Sequence, residues 1–328
     1  MKDISQHFKK LSLLALVLIL IGVIGIVIVG FDEGNGNTIT LEEVVDAAAI
    51  DRVSIRTRNQ SVRLHHAADN EARVIASGLP SDATLTTEVI NGVLTIEVYI
   101  PRQITFGINF GSIREITEPR GLDVYLPVTA YEQITINSTN GRVDVSDFEV
   151  DDFRIITTNG HIALENMIGD VDVQTTNGRI TASEISGDAV RIRTTNGHIE
   201  LSGLTGDVDA QTSNGRITTS RMTGNDIRIR TTNGSLELSD VTGNIDAQTS
   251  NGRVTFNNDT VEQNVNLQST NGHINMNLVN QPEYATFTLS TSRHQRTTIF
   301  GNNNEMQQFG DGRYEVTLRT TNGNITVE

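Results

Sequence analysis

The chain has 328 residues, with 25 Lys and Arg against 40 Asp and Glu, a net charge of −15, no cysteine, no tryptophan and 5% aromatic residues. That charge disfavours nucleic acid and anionic lipid surfaces as partners. The absence of cysteine excludes disulfides, thiolate metal sites, a cysteine nucleophile and a lipoprotein anchor, so the core must come from aliphatic packing.

Residues 1–10 hold all three lysines, Lys2, Lys9 and Lys10, and residues 11–29 are an almost unbroken apolar run. At about 1.5 Å per residue this run can cross a hydrocarbon layer of about 30 Å. No Ala-x-Ala cutting pattern comes after it, so residues 11–30 are expected to be an uncleaved transmembrane helix, a signal-anchor. Lysines precede it and Asp32, Glu33, Glu42, Glu43 and Asp46 come after it, which predicts a cytoplasmic amino end and an extracytoplasmic remainder. Gly22 and Gly25 fit the small-xxx-small packing pattern poorly, so a monomeric anchor is expected. Residues 31–44 read as a polar tether.

Residues 45–131 read as an N-terminal β region that caps the repeats beyond it, with strands at 52–64, 72–76 and 85–99. Thr57-Arg58-Asn59-Gln60 and Asn91-Gly92 look like degenerate copies of the Asn-Gly corner that recurs from Asn140 onward. His65 and His66 would point to opposite faces of a strand and decorate the surface. Residues 103–120, with Phe106 and Phe110, read as a loop or edge hairpin.

From residue 132 to 279 the chain repeats itself. Asn-Gly pairs recur at Asn140-Gly141, Asn159-Gly160, Asn177-Gly178, Asn196-Gly197, Asn214-Gly215, Asn233-Gly234, Asn251-Gly252 and Asn271-Gly272, in steps of 18 to 20 residues. A fixed period of this kind signals a repeat architecture. The residue after each pair alternates between arginine and mostly histidine, so the chemical unit is two coils. Between the pairs, apolar and β-branched residues alternate with polar ones, which predicts strands.

Two topologies fit. Asn-Gly between alternating segments is a hairpin signal and would give an antiparallel meander. A solenoid would instead stack equivalent strands in parallel about 4.8 Å apart. Stacking puts Asp172 between Arg154 and Arg191, Asp209 between Arg191 and Arg228, and Asp246 beside Arg228, a ladder of opposite charges that explains the two-coil period. The expected fold is therefore all-β, a parallel β-solenoid (β-helix) of about 18–19 residues per coil.

In that solenoid the Asn-Gly pairs are expected to close one corner of every coil by tolerating positive φ, with the asparagine amides stacked. His161, His198 and His273 would separate arginines that otherwise lie over one another. Asp170, Asp188 and Asp207 are the one candidate cation row. Catalysis on a β-helix would need clustered carboxylates with a basic proton acceptor, and neither that nor a zinc spacing, a serine elbow or a phosphate loop is evident. Catalytic and cofactor-binding residues are therefore expected to be none. Residues 280–328 break the rhythm and resume it at Asn322-Gly323, which reads as C-terminal coils with an exit cap.

Gly121-Leu-Asp-Val-Tyr125-Leu-Pro127, the serial Thr-x-Asn-Gly-x-Ile coils and the closing Gly312-Arg-Tyr314 to Ile325 segment together resemble the bacterial putative-adhesin domains of unknown function, over residues 45–328. The resemblance implies an envelope β-helix, often tethered by one transmembrane helix, with no biochemical activity assigned. The expected function is a non-enzymatic adhesion or envelope-interaction module whose partner is an envelope protein or glycan. The alternatives are the ectodomain of an envelope-stress sensor and, further off, a polysaccharide-active β-helix enzyme.

Overall fold

Alternation of apolar and polar residues sends one set of side chains inward and the other outward, and strands carry that pattern throughout. The computed structural model describes residues 28–30, 38–101, 120–292 and 295–328, and the chain divides into two units, residues 1–144 and 145–328. All regular elements among the described residues are β-strands.

The first unit holds β1 (Ile28–Gly30), β2 (Thr38–Asp46), β3 (Arg52–Arg56), β4 (Ser61–His66), β5 (Glu71–Pro80), β6 (Thr84–Ile90), β7 (Val93–Tyr99), β8 (Gly121–Leu126), β9 (Tyr131–Asn137) and the start of β10 (Val143–Ser146). β3 lies parallel to both β7 and β9, and β4 parallel to both β8 and β10, so coil-like stacking begins here. It is mixed with antiparallel pairs, β1–β2, β2–β5, β5–β8 and β6–β7.

Three expectations change in this unit. Of the expected anchor at residues 11–30, residues 11–27 lie outside the described residues, but Ile28–Gly30 is a strand and not the last turn of a helix. The stretch read as tether is already strand from Thr38. Asn91-Gly92 is a hairpin turn joining β6 to β7, with Ile90 opposite Val93. The loop read at 103–120 lies outside the described residues except for Arg120. Among the described residues no helix is long and apolar enough to cross a membrane.

In the second unit β11 (Glu149–Ile156), β12 (Ile162–Gln174), β13 (Ile180–Arg193), β14 (Ile199–Thr212), β15 (Ile217–Thr231) and β16 (Leu236–Thr249) each pair in parallel with the next. β16 then pairs with both β17 (Val254–Asn258) and β18 (Val265–Ser269), and β17 with β19 (Ile274–Leu278). This stacking rules out the meander. One inner column runs Ile162, Ile180, Ile199, Ile217, Leu236, Val254, Ile274, all buried. Burying such a side chain contributes about 1.5–3 kcal/mol. The column repeated in every coil is the source of stability in a chain without disulfides.

The chain then overshoots. It forms β20 (Ala285–Ser290), β21 (Thr297–Ile299) and β22 (Met306–Gln308) before returning as β23 (Tyr314–Thr320) and β24 (Ile325–Val327). β23 lies between β18 and β20, and β24 between β19 and β21, so the last coil fills a level that the preceding segment left open. Phe287, Phe300 and Phe309 pack edge to face there, with ring centres 5.5 to 6.1 Å apart.

The alternation of 18- and 19-residue steps has a local cause. Coils beginning at Ile180 and Ile217 carry one more residue at a bulged corner than their neighbours, between Ser186 and Ala189 and between Thr223 and Asp226.

Candidate functional site

From Asn159 to Asn271, and again at Asn322, the coils of the second unit are closed at the Asn-Gly corner by three stacked rows. The outer row is the asparagines: the Nδ2 of Asn177 donates to Oδ1 of Asn159 at 2.6 Å. The pattern continues through Asn196, Asn214, Asn233, Asn251 and Asn271 to Asn322 at 2.6 to 2.7 Å. In the first unit Asn140 donates to Asn59 in the same way, so Thr57-Arg58-Asn59-Gln60 is a true corner with glutamine in the glycine place. The inner row is the first residue of each box. Buried Thr194 Oγ1 accepts the Gly197 N–H at 3.1 Å and donates to the Gly178 carbonyl of the preceding coil at 3.2 Å. Thr175, Thr212, Thr231, Thr249 and Ser269 repeat the clasp.

The middle row is glycine, and its reason differs from the expected one. Among the described residues the boxed Asn-Gly pairs do not take positive φ; only Asn91 and Gly92, with φ of 50° and 79°, do so. The boxed glycines are needed for space. A Cβ on Gly178, Gly197, Gly215, Gly234, Gly252 or Gly272 would lie 1.7 to 1.8 Å from the carbonyl oxygen of the glycine one coil before, and one on Gly141 would lie 1.7 Å from the Gln60 carbonyl oxygen. The left-handed corner lies elsewhere in the coil, at Asp147, Asn166, Glu184, Gly203, Arg221 and Asp240, with φ between 51° and 69°. No common residue type marks that row, so periodicity in composition does not reveal it.

The outward charges take the register expected of a parallel stack: Arg154, Asp172, Arg191, Asp209, Arg228 and Asp246 form one column. Their ion pairs do not all run straight along it. Arg154 approaches Asp172 at 3.7 Å, but Asp209 is reached by Arg193 at 2.9 Å and Asp246 by Arg230 at 2.7 Å, both from the neighbouring column. An arginine is longer than the strand spacing, so its guanidinium fits a carboxylate on the diagonal better than one beside it. Gln211 and Gln248 donate to the same two carboxylates at 2.8 Å.

The histidines do more than separate arginines. His161 Nδ1 accepts the backbone N–H of Arg179 at 3.0 Å, and His198 and His273 accept those of Arg216 and Asn324 at 2.9 Å. The ring so bonded carries its proton on Nε2. The cation row dissolves: Asp170 accepts the Ala189 N–H at 2.9 Å and Asp207 the Asp226 N–H at 3.1 Å. Asp207 stands in register with Ala189, so Asp188 falls on the extra residue of the bulge and the three carboxylates do not converge. Among the described residues no group of three or more His, Asp or Glu is placed to hold a metal ion.

Sequence reading missed a cluster in the first unit. β4 and β8 pair Arg63 with Asp123 and His65 with Tyr125. Arg63 donates two hydrogen bonds to the Asp123 carboxylate, both 2.6 Å, His65 Nε2 lies 2.9 Å from Oδ1, and the His65 ring stacks on Tyr125 at 4.8 Å. His65 is thus a half-buried partner and not free decoration. Burial alone would push Asp123 up, but the bonds and charges of Arg63 and His65 outweigh it and hold the carboxyl below its ordinary value. The bond to Asp123 holds Arg63 above its own. The sequence signal, one parity of polar residues in each strand, becomes visible only once the pairing is known. Nearby Tyr131 is buried with its hydroxyl on the Pro127 carbonyl at 3.0 Å, and burial pushes it up to about 12.

No curated protein matches the chain. A crystal structure of a putative cell adhesion protein from Clostridium sporogenes is 9% identical, covers 88% of this chain and 98% of its own, and has a TM-score of 0.21. One of a putative lipid binding protein from Parabacteroides distasonis is 15% identical, covers 90% and 98%, and has a TM-score of 0.33. The Toastrack DUF4097 family matches residues 50–227 and again 207–328, nearly all of the chain beyond its amino-terminal stretch, and the chain belongs to that family.

Proposed function

We propose that the protein is a non-enzymatic interaction module of the cell envelope, tethered by its amino-terminal apolar run with the β units outside the membrane, and that it acts by presenting fixed polar columns to another envelope molecule. One observation carries the reading: outward side chains of the second unit stand in register from coil to coil and are held by one another, as in the asparagine row and the Gln-Asp-Arg columns. A surface so held has little side-chain freedom left to lose on contact, which favours recognition. The tether and its orientation rest on the apolar run and the placement of lysines before it.

The experiment is a comparison of cells carrying the full chain with cells lacking it, scored for attachment and for envelope partners captured by the chain. Attachment lost on deletion, and lost again when the outer columns are altered, is the expected result. A transcriptional response lost while attachment is unchanged would replace this reading with a sensory ectodomain.

A further inference from the structure

One outer groove of the second unit is lined by arginines, amides and hydroxyls. It runs along the stacking direction in two adjoining stretches that share Thr232, about 510 and 360 Å³ in volume. One wall is the column Gln174, Arg193, Gln211, Arg230, Gln248, which continues through Gln268 to Arg319. The other is the second residue of each box, such as Thr195 and Thr232. Among the described residues lining it there are three arginines and neither Asp nor Glu, although the whole chain has a net charge of −15. The remaining lining groups are nearly all amides and hydroxyls. The aspartates that bind Arg193 and Arg230 belong to the next column and leave other N–H groups of each guanidinium for a ligand.

The spacing selects the ligand. Arg193 and Arg230 stand two strands apart, about 9.6 Å at the usual strand separation. In an extended peptide, side chains on one side recur about every 6.8 Å, out of step with that interval. A β-linked disaccharide advances by about the interval itself, and its hydroxyls match amide and threonine walls. We propose that this groove binds a linear anionic glycan carrying one carboxylate per disaccharide, with Arg193 and Arg230 each taking a carboxylate and the glutamines and threonines taking ring hydroxyls. The inference rests on the interaction-module reading above and gives its partner a chemical class.

The test measures binding of the full-length protein to hyaluronan, with an unbranched neutral β-glucan and poly-glutamate of matched chain length as comparisons. Hyaluronan should bind, with affinity falling as salt rises. The double variant Arg193→Gln, Arg230→Gln should weaken it about tenfold. Glutamine already occupies the equivalent place in alternate coils, so the variant should fold, and an unchanged melting temperature checks this. The control pair Arg191→Gln, Arg228→Gln, outside the groove, should leave binding as it is. Equal binding of the neutral glucan or of poly-glutamate, equal loss in both double variants, or no binding of hyaluronan would each overturn the proposal. If hyaluronan fails while cells still depend on the chain for attachment, the groove assignment falls and the interaction-module reading stands.

Discussion

Asn-Gly joins β6 to β7 in a hairpin, whereas at Asn140 and at the boxes from Asn159 onward it closes coils, and the two uses are physically different. In the hairpin both residues take positive φ, and the pair is chosen for conformation. In the coils neither does, and glycine is chosen because the preceding coil's backbone passes where a side chain would begin. The same two letters therefore report a reversal of the chain in one region and a close approach of parallel chains in the other. What separates them in the sequence is the threonine or serine two places before the asparagine, whose hydroxyl clasps the corner: it stands before Asn196 and not before Asn91.

The sharpest way to break this distinction is to add one methyl group in each place. Gly197→Ala puts carbon 1.7 Å from the Gly178 carbonyl oxygen, and only a backbone shift through the stack can relieve it. A loss on the order of 4 kcal/mol, or failure to fold, is expected. Gly92→Ala meets the Asp51 side chain, which can turn away, and the remaining cost is that of a left-handed alanine, about 1 kcal/mol. Chemical denaturation of both variants decides it; equal losses would mean that the coil glycines are also there for conformation.

A second comparison stays within the coils. Thr194 and Thr219 are both buried, but the Thr194 hydroxyl makes two hydrogen bonds while that of Thr219, between Leu201 and Leu238, makes none. Thr194→Val should cost about 2 kcal/mol by orphaning the Gly197 N–H, and Thr219→Val should gain about 1 kcal/mol by removing an unpaired hydroxyl. Melting shifts of the same sign would show that the clasp is incidental.

The third returns to the first unit. The lowered Asp123 value means that its contribution is present above the ordinary aspartate value of about 3.9 and is lost as pH falls through the folded value. Asp123→Asn should remove that part of the acid sensitivity, about 1 kcal/mol after screening. Acid titrations of wild type and variant that stay parallel would mean that Arg63 and His65 contribute nothing through this carboxyl.

These cases also mark what the sequence reveals. Strand alternation and the fixed period give the parallel stack, the register and the inner column: Val171, Val173, Ile180, Ala182, Ile185, Val190 and Ile192 are all buried as the alternation requires. Properties that depend on how close two backbones come are not written in residue types. Glycine has two physical uses, and composition does not distinguish them. The left-handed row is hidden because Asp, Asn, Glu, Gly and Arg all serve there, and Asp188 leaves its row because one inserted residue shifts a bulge. The Arg63, Asp123, His65 cluster joins strands 60 residues apart, a distance over which alternation carries no information.

An effect of similar size tests the direction of the asparagine row. Each Nδ2 donates toward the preceding coil and each Oδ1 accepts from the next one, so Asn196 is at once donor to Asn177 and acceptor for Asn214. The row is exposed, and Asn196→Ala should cost only about 1 kcal/mol. Asn196→Asp keeps the acceptor, removes the donor and sets two oxygens against each other across the 2.6 Å contact, so at neutral pH it should cost more than alanine. Below about pH 4 the acid form regains an O–H to give to Asn177, and the aspartate variant should recover relative to alanine. If the aspartate variant is the more stable of the two at neutral pH, water has replaced the neighbour as partner and the row is packing without polarity.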